Sequence, residues 1–107
     1  MSRLAAALLM SVSLGALAAG EPEFSLVIEN HKFTPDRIEV PAGKKVKFNI
    51  ENKDATAEEF ESDVLKIEKL VPARSKATVF IGPLKPGEYK FVGEFHEKTT
   101  RGVIIAK

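Results

Sequence analysis

Hydrophobic and polar residues alternate along most of the chain beyond residue 23, with the period of two that is typical of half-buried β-strands. The clearest run is Val46, Phe48 and Ile50, which are separated by Lys47 and Asn49. Comparable runs lie at residues 24–28, 38–40, 77–81, 89–93 and 103–105. Each run predicts a strand with one face against a core, and the last run is apolar enough to be covered on both faces.

Proline and glycine separate these runs, at residues 41–43, 82–83 and 86–87. Tyr89 comes just after the last of these turns, where a tyrosine hydroxyl can bond back to the arriving backbone in a Greek-key sandwich. Short strands divided by such turns, with no repeat and no linker, are typical of a single all-β domain. We therefore predict a Greek-key β-sandwich of about seven or eight strands.

Residues 56–71 support two interpretations. Residues 56–59 have a capping-box pattern, and four apolar residues at helical spacing follow: Phe60, Val64, Ile67 and Val71. A helix over residues 57–69 would fit this pattern. A short strand through Phe60, followed by a long loop or an extended run up to Val71-Pro72, agrees better with the strands on either side.

The first 20 residues have the features of a secretory signal peptide. Arg3 precedes an apolar stretch, the segment ends in small residues, and no acidic residue occurs before Glu21. Serines and a glycine interrupt the apolar stretch, which makes a membrane-spanning helix a poorer fit. We predict cleavage after Ala18 or Gly20, a mature domain at residues 21–107, and a periplasmic location.

Composition excludes several classes of function. Removing the leader takes away Arg3 and no acidic residue, which balances the 16 basic and 15 acidic groups of the whole chain. A neutral domain has no basic field to attract nucleic acid or anionic lipid. The chain has no cysteine, no G-x-S-x-G motif and no phosphate-binding glycine-rich loop, so no nucleophilic or nucleotide-dependent enzyme is indicated.

Two polar stretches remain as candidates for chemistry: the acidic run at residues 58–63 and the loop at residues 94–97. If both lie at one end of the sandwich, carboxylates and an imidazole meet there, and this donor set suits Fe(II), Mn(II), Cu(II) or Zn(II). The candidate ligands are His96, Glu58, Glu59, Glu61, Glu94 and His31. The plainer alternative is that the acidic run is a solvated face of the domain.

Several short motifs together resemble the cupredoxin-like domain over nearly the whole mature chain. They are Phe33-Thr34-Pro35, residues 38–43, Asn52-x-Asp54 and residues 86–91. Residues 58–62 and 93–96 look most similar to the small exported cupredoxin-like proteins of bacterial ferrous-iron uptake systems. Those proteins are thought to bind and oxidise iron, or to carry copper for that purpose, beside a membrane permease.

The resemblance also places the ligands of a blue-copper centre on this sequence. Its first histidine falls at Glu58 or Glu59, its cysteine at Gly93, its second histidine at His96 and its methionine near Thr100. Only His96 matches the ligand pattern, so a type 1 copper centre is not expected.

The resemblance implies an exported protein that binds iron or copper in envelope iron acquisition, and ferroxidase activity is a hypothesis within that role. A membrane iron permease or an associated redox membrane protein would be its partner. The alternative is a metal-free interaction module that docks on a membrane transporter or another exported protein.

Overall fold

The structure is a computed structural model that describes residues 20–107. The predicted signal peptide therefore lies, apart from Gly20, outside the described residues. Within the described part of the chain, no helix has the length and apolar character needed to cross a membrane.

The described residues form nine strands and one 3-10 turn, joined by turns and loops. The strands are β1 Glu23–Glu29, β2 Lys32–Thr34, β3 Arg37–Val40, β4 Val46–Asn52, β5 Glu58–Ser62, β6 Ile67–Val71, β7 Lys76–Ile81, β8 Gly87–Gly93 and β9 Arg101–Ala106. The 3-10 turn, Glu94–His96, follows β8 directly. The all-β prediction is confirmed, with nine strands instead of seven or eight. The extra strands are β2, which is too short to show alternation, and β6, which lies in the segment of uncertain structure.

The strands form two mixed sheets. One sheet has the order β2-β1-β4-β7 and the other has the order β3-β9-β8-β5-β6. β1 pairs with β4 in parallel and β3 pairs with β9 in parallel, while the other pairs are antiparallel. Connections of this kind cross between the sheets, as a Greek-key sandwich requires.

The core lies between the two sheets and contains a cluster of phenylalanines. Phe48 of the first sheet meets Phe60 of the second edge to face, with ring centroids 6.4 Å apart. Phe33 packs in the same way against Phe91, at 4.9 Å. Phe48, Phe60 and Phe91 are almost completely buried, so they join the sheets at their centre.

Of the two interpretations of residues 56–71, the helix over residues 57–69 is wrong. β5 pairs with both β8 and β6, so its backbone groups are bonded within the sheet, and a turn at residues 63–66 joins it to β6. Along β5 the inward residues Glu58, Phe60 and Ser62 are buried, whereas Glu59 and Glu61 face outward. This period of two, and not the helical spacing, determines the structure of the segment.

The turn before β8 behaves as the sequence predicts. The Tyr89 hydroxyl donates a hydrogen bond of 2.7 Å to the carbonyl oxygen of Lys85. Such a bond fixes the chain as it passes from one sheet to the other. β8 then leads directly into the 3-10 turn that carries His96.

Three connections meet at one rim of the sandwich, which we call the histidine rim. They are the turn between β1 and β2 at residues 30–31, the segment at residues 53–57 before β5, and residues 94–100 between β8 and β9. Asp54 bonds to the first connection, Glu58 bonds to the third, and Thr100 bonds to His31. Segments far apart in the sequence are thereby brought to a single surface.

Candidate metal centre at the histidine rim

Glu58 is the buried carboxylate of the histidine rim. It is the first residue of β5, it faces inward, and only 1% of its surface is exposed. One oxygen, Oε2, lies 2.7 Å from Nδ1 of His96. The other, Oε1, accepts the backbone N–H of Phe95 at 2.8 Å and that of Glu59 at 3.0 Å. Both carboxylate oxygens are therefore satisfied within the protein, which offsets the cost of burying the charge.

One ring nitrogen of His96 is engaged in a hydrogen bond, and the other remains for a ligand. The ring sits in the 3-10 turn, and 30% of its side chain is exposed. Because Nδ1 points at Glu58, Nε2 is the atom left for a ligand. A histidine whose far nitrogen bonds to a carboxylate is the usual form of a metal-ligating imidazole.

His31 lies directly against His96. The two rings are stacked, with centroids 3.7 Å apart and planes inclined by 24°. The Nδ1 atom of His31 is 3.5 Å from a carboxylate oxygen of Asp54, and 43% of the side chain is exposed. The sequence identified both histidines as candidates, and the structure brings them together.

Asp54 holds the turn that presents His31. Its two oxygens accept the backbone N–H groups of Asn30 at 2.7 Å and His31 at 2.9 Å. Both of these residues have a φ of 55°, which costs energy for any residue other than glycine and is maintained here by the bonds to Asp54.

The pKa of Asp54 reflects this role. Burial acts to raise the pKa, but the hydrogen bonds from the His31 and Asn30 backbone and the charges of the two imidazoles outweigh burial, so the pKa lies below its ordinary value of 3.8. Sequence reasoning noted Asp54 only as part of a turn motif. Its distance of more than 20 residues from His31 left no local signal of the contact.

Gly93 marks the place where Glu58 approaches β8 most closely. A Cβ atom at Gly93 would lie 2.6 Å from Cδ of Glu58 and 2.5 Å from Cγ2 of Thr100, closer than real carbon atoms come. The Thr100 hydroxyl meanwhile donates to the backbone oxygen of His31 at 2.7 Å. The positions that the resemblance aligns with blue-copper ligands do lie together in the fold, but the atoms of these residues fill the space between them.

A type 1 copper ion does not fit this interior. Residues 20–107 contain no cysteine or methionine, so no sulfur ligand is present. No buried side-chain nitrogen or oxygen of the described residues lacks a hydrogen-bond partner, so no donor atom points into an unfilled space.

The remaining predicted ligands lie on the outer face of the second sheet. Glu59, Glu61 and Glu94 join Glu68 in a group whose carboxylate oxygens are all within 4.8 Å of one another. We call these four residues the acidic face. Glu68 was not predicted, because its position opposite Glu61 depends on the β5–β6 pairing. Strand alternation along β5 thus separates Glu58, at the rim, from Glu59 and Glu61 on the outer face.

Crowding raises the pKa values of two carboxylates of the acidic face. For Glu94 the main cause is its hydrogen bond with Glu59, followed by burial and the charges of Glu59, Asp63 and Glu58. For Glu61 burial comes first, and the charges of Glu94, Asp63 and Glu68 add to it. Each carboxylate therefore holds its proton more readily than an isolated one, as expected where like charges share a surface.

An open depression lies outside the two histidines. Its volume is about 580 Å³, and it is lined by His31, Glu94, Phe95, His96, Glu97, Lys98 and Thr99. Phe95 is 52% exposed there. Imidazole and carboxylate groups thus border a space that solvent can reach, next to the acidic face.

Comparison with known proteins identifies the family of the chain. The model of the family described as "Cupredoxin-like domain" matches residues 2–106. An uncharacterized protein of Rickettsia prowazekii (strain Madrid E) is 43% identical over 83 residues, which is 78% of this chain. The chain spans 66% of that protein's length.

Solved structures agree with this result at the level of fold. Auracyanin A, a "blue" copper protein from Chloroflexus aurantiacus, has a TM-score of 0.70 at 15% identity, covering 82% of this chain and 100% of its own. The metal-binding domain of the Cu(I)-exporting P-type ATPase CopA of Streptococcus pneumoniae has a TM-score of 0.71 at 13% identity, covering 79% and 84%. At such identities the similarity establishes the cupredoxin-like fold.

Proposed function

Because the chain belongs to the cupredoxin-like domain family, we propose that it is an exported protein that binds a divalent metal ion, iron or copper. The observation that carries the proposal is the pair formed by Glu58 and His96. A buried carboxylate bonded to Nδ1 orients the imidazole and increases the basicity of Nε2, the nitrogen left for a ligand, and the His96 side chain lines the depression. His31 and Glu94 border the same depression and are the further donors that we propose.

The donor types favour particular metals and oxidation states. Imidazole nitrogen and carboxylate oxygen suit Fe(II), Cu(II) and Zn(II), whereas Cu(I) prefers the thiolate and thioether groups that residues 20–107 lack. The acidic face, with Glu59 and Glu61, lies beside the depression and lends it a negative potential that attracts cations. We therefore favour oxidised copper or ferrous iron as the cargo.

The role we propose is in envelope iron acquisition. It is supported by the leader-like sequence at residues 1–20 and by the similarity of residues 58–62 and 93–96 to proteins of ferrous-iron uptake systems. The partner would be a membrane iron permease or an associated redox membrane protein, and the protein would act in the periplasm. Cell fractionation, together with the identity of neighbouring genes, tests this part of the proposal.

Metal titration of the purified protein tests the binding itself. His96→Asn is the sharpest variant, because its side-chain N–H can replace Nδ1 as the donor to Glu58 while the ligand atom Nε2 is lost. We expect Fe(II), Cu(II) or Zn(II) to bind the native protein. Affinity should fall in His96→Asn by more than the roughly 10–100-fold that is typical of changes around a ligand.

Two further variants separate the rim from the acidic face. Glu59→Ala removes one carboxylate of the acidic face, and Glu51→Ala, on the first sheet, is the matched control. A modest loss of affinity in Glu59→Ala, with none in Glu51→Ala, fits the proposal. Binding that is unchanged in both His96→Asn and Glu59→Ala would reject the ligand set.

A second candidate function is a metal-free docking module. It is favoured by the fact that Glu58 satisfies both of its oxygens within the protein, so that the histidine rim is complete without an ion. The exposed Phe95 beside four carboxylates would then contact a basic, partly apolar surface of a membrane transporter. Absence of metal binding, together with retention on membranes that contain the partner, would favour this function.

A further inference from the structure

We propose that Glu58 is a positioning residue which closes the interior of the histidine rim and makes Nε2 of His96, on the outer surface, the only nitrogen of that ring open to a metal ion. This inference deepens the proposed function and rests on it for the identity of the ligand. It assigns Glu58, which the sequence presents as a ligand, to a different task.

The hydrogen-bond pattern favours one tautomer of the His96 imidazole. Oε1 of Glu58 receives two backbone N–H groups, from Phe95 and Glu59, and Oε2 faces Nδ1 of His96. With Oε1 occupied by these two backbone donors, Oε2 is the oxygen that accepts from the ring. In this assignment Nδ1 carries the proton and donates it, and the neutral ring has its lone pair on Nε2.

Oε2 of Glu58 and Nδ1 of His96 lie closer together than two ligands of one ion would. Oε2 and Nδ1 are 2.7 Å apart, which is a short hydrogen bond. An ion bound by both atoms at about 2.0–2.1 Å from each would hold them about 3–4 Å apart. Glu58 and Nδ1 are thus bonded to each other and are not shared ligands.

The Glu58 carboxylate is tightly packed in the interior. Glu58 is 1% exposed, and Gly93 leaves its carboxylate just enough space, since a Cβ there would lie 2.6 Å from Cδ of Glu58. Thr100 fills the other side of Gly93 and is completely buried. We therefore infer that an ion approaches His96 from the depression, which His31, Glu94 and Glu97 also line.

Glu58→Gln reverses the bond without changing the shape of the side chain. The two backbone N–H groups hold the amide oxygen in the place of Oε1, so the amide N–H₂ must face Nδ1. Nδ1 then accepts, the proton moves to Nε2, and the ligand atom is blocked. Glu88→Gln is the control, because Glu88 is an exposed glutamate on β8 of the same sheet.

Nitrogen NMR of the two imidazoles, at a pH where both are neutral, shows directly which ring nitrogen, Nδ1 or Nε2, carries the proton. We expect His96 to carry its proton on Nδ1 in the native protein and in Glu88→Gln, and on Nε2 in Glu58→Gln. Zn(II) should shift Nε2 in the native protein while Nδ1 keeps its proton. Zn(II) affinity should fall about 10–100-fold in Glu58→Gln.

The outcomes separate this inference from the proposed function. A native His96 protonated on Nε2, or a Zn(II) ion on Nδ1 with Glu58 displaced, would overturn the inference even if metal binds tightly. A native His96 protonated on Nδ1 that binds no metal would support the inference and reject the proposed function. The measurement on the native protein decides the point even if Glu58→Gln fails to fold.

Discussion

Single residues at the histidine rim act mainly by holding other residues in place. Asp54 fixes two backbone N–H groups of the turn that carries His31, and Thr100 fixes the carbonyl oxygen of His31. Glu58 does the same for His96 and for the backbone of the 3-10 turn. The stacked imidazoles are therefore arranged before any ligand arrives, which lowers the cost of binding one.

Asp54→Asn tests the first of these supports. The substitution replaces one of two charge-assisted bonds with an N–H facing an N–H, so unfolding free energy should fall by about 1–3 kcal/mol at neutral pH. Asp36→Asn, at an exposed aspartate, is the control and should change little. Urea denaturation gives both values.

The effect of Asp54 should also depend on pH. Its folded-state pKa is lowered, so the unfolded chain binds the proton more readily and the stabilisation is fully present above the ordinary pKa of 3.8. It is lost as the pH falls through the lowered pKa of the folded protein. A difference in unfolding free energy between the native protein and Asp54→Asn that stays the same down to about pH 2 would contradict this assignment.

Gly93→Ala tests how tightly the interior is filled. The added methyl group meets Glu58 and Thr100 at 2.6 and 2.5 Å, so we expect a loss of about 1–3 kcal/mol in unfolding free energy. Adding Thr100→Ser removes one of the two clashes but keeps the hydroxyl that bonds to His31, and should recover part of the loss. A fully stable Gly93→Ala variant would show that the interior has room.

β5 is the element that divides the candidate ligands. Its alternation turns Glu58 inward to His96 and Glu59 and Glu61 outward to the acidic face. The sequence was sufficient to predict that neighbouring glutamates would not face the same side. It was insufficient to predict Glu68, because Glu68 lies opposite Glu61 only if the segment forms a hairpin, and the same segment also fits the pattern of a helix.

Glu61→Gln tests the repulsion on the acidic face. The pKa of Glu61 is raised in the folded protein by burial and by neighbouring carboxylates, so its charge works against folding at neutral pH. We expect the variant to have a higher Tm than the native protein at pH 7, with the gain shrinking as the pH falls through the raised pKa. Glu88→Gln is the matched control, and an equal rise in Tm in both variants would mean that local crowding has no part in the effect.

At the scale of the whole molecule, the sandwich brings three separate connections to one rim. The strand pattern, the turns and the position of Tyr89 just after a turn predicted the fold closely. Each of these signals follows from local alternation or turn chemistry. The ring stacking of His31 on His96, and the role of Asp54, could not be predicted in this way. They depend on the pairing of β1 with β4 and of β5 with β8, which no short segment encodes.

The location of a bound ion tests the central claim most directly. Crystals of the protein loaded with Zn(II) or Cu(II), with anomalous scattering used to find the metal, would show the coordinating atoms. We predict an ion about 2.0–2.1 Å from Nε2 of His96, on the depression side, with the bond between Nδ1 and Glu58 still in place. An ion held between Glu58 and Nδ1, or one bound solely by the acidic face, would contradict the account.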